Sequence, residues 1–136
     1  MTDIYTVVTE YGEIVITKNV IGKIIVDVVS EFEGKVLITN HKGKAQGLVS
    51  KIGGIEPISN LDIVFKEKGI DIRVFVAIRF GTSIGYVTNT LIDLIHERVK
   101  RVIGKDPDSV AVVVSGIISK NMAKRNIEVM RRYDGK

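Results

Sequence analysis

The chain of 136 residues has no cysteine and no tryptophan, only two prolines, and just 6% aromatic residues. Without cysteine there is neither a disulfide framework nor a thiolate metal site, so packing and hydrogen bonds must hold the fold alone. That fits a reducing compartment, and a cytoplasmic location is the expectation. Histidine is almost as scarce: His41 lies in a glycine-rich stretch and His96 among charged residues, with no ligand spacing between them. No metal or other cofactor is expected, and His96 reads as a solvent-facing helix residue rather than a general base. Long hydrophobic runs are missing too. None exceeds five residues, far below the roughly 20 that cross a bilayer. The opening MTDIYTVVTEYGE lacks the basic and apolar regions of a signal peptide. Any membrane contact is therefore expected to be peripheral or indirect.

Isoleucine and valine dominate instead. Ile14 to Val29 reads IVITKNVIGKIIVDVV, and β-branched side chains favour strands. Its period nevertheless changes midway. Ile14 and Ile16 alternate with Glu13, Val15 and Thr17, whereas Val20/Ile21, Ile24/Ile25, Val28/Val29 and Phe32 recur at helical spacing. The spacing predicts a short strand running straight into an amphipathic helix, with the Thr17 hydroxyl as N-cap and Glu33-Gly34 near its end. Ile4 to Thr9 can add a strand or a frayed arm, and Val36 to Thr39 is a short apolar piece.

Further on, LDIVFKEK and IDIRVFVAIRF read as two strands joined around Lys68-Gly69. In the second, Ile70, Ile72, Val74, Val76, Ile78 and Phe80 fall on one face, which marks it as the core face. Ser83 can cap a second helix whose stripe is Ile84, Val87, Leu91, Leu94/Ile95, Val99 and Val102, with Glu97 placed to pair with Arg101. Gly104 and Asp106-Pro107-Asp108 end it as a turn, and SVAVVVSGI supplies a last strand. The expected fold is α+β, a two-layer sandwich in β-α-β-β-α-β order, with the helices on one face of a small mixed sheet. Residues 1–118 form the single domain, with a variable loop at 40–60; residues 119–136 form a basic C-terminal helix or tail.

Chemical motifs are few. There is no G-x-G-x-x-G and no glycine-rich loop ending in Gly-Lys-Ser or Gly-Lys-Thr. Gly81 to Gly85 marks a helix start suited to anions, yet it has no lysine. No two glycines stand three apart, so the G-x-x-G loop of KH-type RNA-binding domains is absent. No catalytic residues are assigned, and an enzyme is not expected.

Charge is the remaining signal. The net charge is +4, but its basic part is local. Lys35, Lys42, Lys44 and Lys51 meet no acid in their stretch, and Lys120, Lys124, Arg125, Arg131, Arg132 and Lys136 meet only Glu128 and Asp134. The loop and tail lysines and arginines up to Arg132 are the candidate interaction surface, open to RNA, anionic lipid or acidic protein.

TEYGEIVITKNVIGKIIVDVVSEFEG and IDIRVFVAIRFGTSIGYVTNTLIDLIHERVKRVIGKDPDSVAVVVSGI together resemble the alkaline shock protein family of Gram-positive bacteria. The resemblance lies in the strand Ile14 to Ile16, Thr17, Glu33-Gly34, the glycine-rich loop, Phe80-Gly81, Ser83-Ile84 and Val114-Ser115-Gly116, from about Thr9 to Ile118. Lys35 after Glu33-Gly34 and Gly85 in the second helix depart from the pattern, as does a first helix rich in Ile and Val. The basic tail lies outside it. The resemblance implies a non-enzymatic scaffold or adaptor in envelope or alkaline stress, self-associating as a homo-oligomer, with protein partners that include a membrane-anchored protein. The rival from another class is RNA binding through the basic loop and tail.

Overall fold

The computed structural model describes residues 4–39, 61–118 and 123–133, and only the backbone of 123–126. Its elements are β1 (Ile4–Thr9), β2 (Gly12–Thr17), α1 (Lys18–Ser30), β3 (Val36–Ile38), β4 (Asp62–Phe65), β5 (Ile70–Arg79), α2 (Ile84–Ile103), β6 (Ser109–Ile118) and β7 (Ala123–Arg132). The class is α+β, as the sequence predicts.

The switch of period at Thr17 is real: β2 ends there and α1 starts at Lys18. The cap is of another kind than expected. Thr17 stays extended, at φ −96° and ψ 165°, opposite Ile4 in the β1–β2 ladder, and its hydroxyl makes no cap bond. Ser83 does accept from the Tyr86 amide, and Gly104 closes α2 in the left-handed conformation at φ 84°. Glu97 pairs with Arg101 at 3.5 Å.

The strands fall into two sheets. Among the described residues β2 does not join the main sheet but pairs with β1, as an antiparallel hairpin. The main sheet centres on β5. On one side β5 runs parallel to β6, and β6 is followed by antiparallel β7; on the other it holds both β3 and β4. Val36 lies opposite Ile78 and Ile38 opposite Val76, while Asp62 lies opposite Arg73 and Phe65 opposite Ile70. The two short strands are thus collinear on one edge of β5.

Within the segment expected as a C-terminal helix or tail, Ala123–Arg132 is a strand. Ile127 and Val129 alternate with Glu128 and Met130, and as β7 they cover the edge of β6 with a ladder from Ile117↔Ala123 to Ser109↔Arg132. A free helix would have satisfied its own backbone but left the backbone groups of that edge unpaired. Residues 123–132 therefore belong to the same sheet as residues 109–118.

Both helices cover one face. Ile21, Ile25 and Val28 of α1 and Leu91, Ile92, Ile95 and Val99 of α2 are fully buried with Ile70, Ile72, Val74, Val76 and Ile78, and with Val110, Val112 and Val114. Burying each such side chain stabilises by about 1.5–3 kcal/mol. The α2 stripe is turned slightly from expectation, with Ile103 inside and Val102 half-exposed. Phe80, one residue past β5, is 75% exposed rather than in the core.

The opposite face of the sheet has no helix among the described residues. It is covered by polar bridges over small residues. Arg73 on β5 reaches Glu128 on β7 at 2.9 Å, across Ala111 and Val113 of β6. The Thr39 and Ser115 hydroxyls meet at 2.6 Å, and Ser115 also donates to the Val76 carbonyl. Ser115 is an extra residue in β6, since Val76↔Val114 is followed by Ala77↔Gly116. Such a bulge re-aims a side chain, which accounts physically for Val114-Ser115-Gly116.

Candidate interaction surface

The basic residues singled out by sequence do not converge among the described residues. Lys35 is exposed just before β3, and its carbonyl accepts from the Arg79 amide. Lys124 pairs with Gly116 at the same end of the sheet, and Arg125 follows it; only their backbone is described. Arg131 and Arg132 lie at the other end, opposite Val110 and Ser109. Eight residues of extended strand separate Lys124 from Arg132, about 26 Å. Lys42, Lys44, Lys51 and Lys120 lie outside the described residues, as does His41.

Arg131 is committed to the protein itself. Its guanidinium bonds Asp93, the Asn89 side-chain carbonyl at 3.1 Å and the Tyr133 hydroxyl at 3.1 Å. The Asp93 carboxylate, and then the Tyr133 hydroxyl, push its pKa up from the usual arginine range. It ties β7 to α2. Arg132 points to the opposite face, where a groove of about 460 Å³ also includes Lys18, Asp62, Asp71, Arg73 and Ser109. Both signs line that groove, so it favours no simple anion. Within it Asp71 accepts from Ser109 at 2.6 Å and pairs with Lys66 at 3.1 Å, while Lys66 also holds Asp108 at 2.6 Å. Asp108, then Asp71, raise the Lys66 pKa above its ordinary value.

His96 is not the solvent-facing residue its charged neighbours suggested. Its ring is stacked on Tyr133 with centroids 4.1 Å apart and planes 13° from parallel, and Nε2 lies 2.7 Å from Asp106. The His96 hydrogen bond holds the Asp106 carboxyl below its ordinary pKa, with Lys100 at 3.5 Å helping. Sequence spacing could not find this, because the contacts cross from α2 to the following turn and to the residue after β7. Among the described residues no cluster of His, Cys, Asp or Glu is arranged to hold a metal.

Apolar exposure marks two other places, the hairpin and the start of α2. Val8 is 74% and Tyr11 93% exposed on the hairpin, with Ile4, Ile14 and Val15 about half exposed. Phe80 and Tyr86, at 75% and 67%, flank the start of α2. Tyr86 borders a second groove of about 350 Å³ with Phe32, Glu33, Lys35, Thr90 and Leu94. Glu33 there is the one non-glycine with positive φ among the described residues, at 52°. The period-two pattern of the first residues was the available signal for the hairpin; its exposure was not legible.

No helix among the described residues is long and apolar enough to cross a membrane. A search of the curated proteins and of the solved structures found no match to the chain. The sequence profile of the alkaline shock protein family, described as having a cell envelope-related function, matches residues 6–119. That span begins in β1 and ends one residue after β6, leaving β7 outside. With most of its length matched, this chain belongs to the alkaline shock protein family, whose function is related to the cell envelope.

Proposed function

We propose that the protein is a non-enzymatic scaffold or adaptor of the cell envelope, acting in the cytoplasm through protein contacts and self-association. A membrane-anchored partner links it to the membrane. The observation that carries this reading is the set of large apolar side chains left outside the core on the hairpin and at the start of α2. Several large apolar side chains exposed on one element, as Ile4, Val8, Ile14 and Val15 are on the hairpin, mark a protein contact surface. Family membership supplies the envelope setting.

The test is affinity recovery of the tagged chain from its native lysate, with and without nuclease, alongside sedimentation of the purified protein. Envelope proteins that stay bound after nuclease, and a sedimenting species larger than one chain, are the expected results. A strictly monomeric protein that retains no envelope protein would overturn the reading. RNA binding predicts instead an affinity that falls with salt at a slope of about −0.7 per phosphate neutralised. The separation of Lys35 and Lys124 from Arg131 and Arg132, and the engagement of Arg131 with Asp93, weigh against that rival.

A further inference from the structure

We propose that β1 is a dimerisation edge, on which a second copy of this chain pairs antiparallel about a two-fold axis at Thr6, joining two hairpins into one four-stranded sheet. This names the surface for the self-association proposed above and rests on that reading.

Among the described residues the hairpin is a sheet of two strands, and β1 pairs with β2 and with no other strand. Among the described residues, no backbone hydrogen bond outside that ladder involves β1. Two-stranded ribbons are marginal in water, and open edges are normally blunted by charge, proline or a bulge. β1 has none of these. It reads IYTVVT, without a charged residue, and its ladder runs unbroken from Ile4↔Thr17 to Thr9↔Gly12. In a chain of net charge +4, an uncharged edge is where two copies meet without repulsion.

The pattern along β1 is self-complementary, which points to a second copy rather than another partner. Residues directly opposite in an antiparallel pair share a face, so they must both be even or both odd in number. A two-fold axis at Thr6 places Ile4 opposite the second copy's Val8, twice, and Thr6 opposite Thr6, all on the outer face with Val15. Tyr5 then meets Val7 on the inner face. Apolar, threonine–threonine and aromatic–β-branched pairs are the kinds that stabilise a sheet. Moving the axis to Val7 would set Ile4 against Glu10, and moving it to Tyr5 would leave only Ile4–Thr6 of the strand paired. A two-fold contact also closes on itself, giving a dimer.

The absence of native cysteine makes the register directly readable. In the full-length chain Thr6→Cys should form an interchain disulfide under mild oxidation, because residues opposite each other lie within disulfide reach. Val8→Cys alone should not, since two such residues would sit about 13 Å apart along the strands. An equimolar mixture of Ile4→Cys and Val8→Cys should link as a heterodimer. Thr6→Lys, with circular dichroism unchanged, should weaken the dimer about tenfold or more by placing like charges face to face. Failure of Thr6→Cys to link, or equal linking by Val8→Cys, would overturn the proposal. If the wild type still sediments as an oligomer in that case, self-association stands on another surface; if it is a monomer throughout, both readings fall.

Discussion

Gly69 sits where the side chain of Asp108 leaves no space. A Cβ there would stand 2.2 Å from one Asp108 carboxylate oxygen, and that carboxylate is held by Lys66. Gly69→Ala should therefore expel Asp108 and cost about 1–2 kcal/mol. In an Asp108→Ala background the same change should cost close to nothing, and a double-mutant cycle by urea denaturation reads the difference. A second residue-scale prediction concerns pH. The folded state lowers the pKa of Asp106 through His96, so this carboxylate favours folding above the ordinary carboxylate value and loses that contribution as pH falls through the lower folded value. The acid limb of thermal stability, below about pH 4, should be shallower in Asp106→Asn. Lys66, with its raised pKa, works in the opposite direction: its contribution is complete below the unfolded value and is lost as pH rises through the folded one. The Gly69, Asp108 and Lys66 arrangement was hidden in the sequence, where Gly69 reads only as a turn and Asp108 only as a helix stop.

Among the elements, β3 and β4 behave as one strand. Thr39 donates its amide to the Phe75 carbonyl, and Asp62 lies opposite Arg73, so Leu61 falls opposite Val74. Thr39 and Leu61 are thus neighbours along β5, although residues 40–60 separate them in the sequence. Deleting 40–60 and joining Thr39 to Leu61 would bring both ladders into a single register with no bulge. The shortened chain should fold with the same circular dichroism and stability equal to or above wild type, since closing a loop of that length costs about 2–3 kcal/mol. Loss of the cooperative transition would show instead that the two strands are independent. The sequence reads residues 40–60 as a loop from their glycines and lysines, and those residues lie outside the described ones. It could not mark the continuity, because that depends on the pairing of both flanks with β5.

For the whole molecule the main question is where the domain ends. The family match stops at residue 119, yet β7 lies along β6 and packs Ile127 and Val129 against the core. A chain ending at Ile118 should lose about 1–3 kcal/mol of stability from those two partly buried side chains alone, and expose the edge of β6 to aggregation. Light scattering and a melt of the truncated protein would check this; an unchanged melting temperature would make β7 an appendage.

The sequence alone determined the α+β class, both helices, the switch of period at Thr17, the α2 cap and stop, and the family, because each is written in neighbouring residues or in their order. Tertiary structure decided the rest. β7 is a strand because β6 offers an unpaired edge, β2 stands outside the main sheet because it is paired in the β1 hairpin, and Arg131 is spent on Asp93 because β7 lies beneath α2. Local pattern fixes which conformations a segment can take, whereas pairing and burial between segments far apart in the chain select among them.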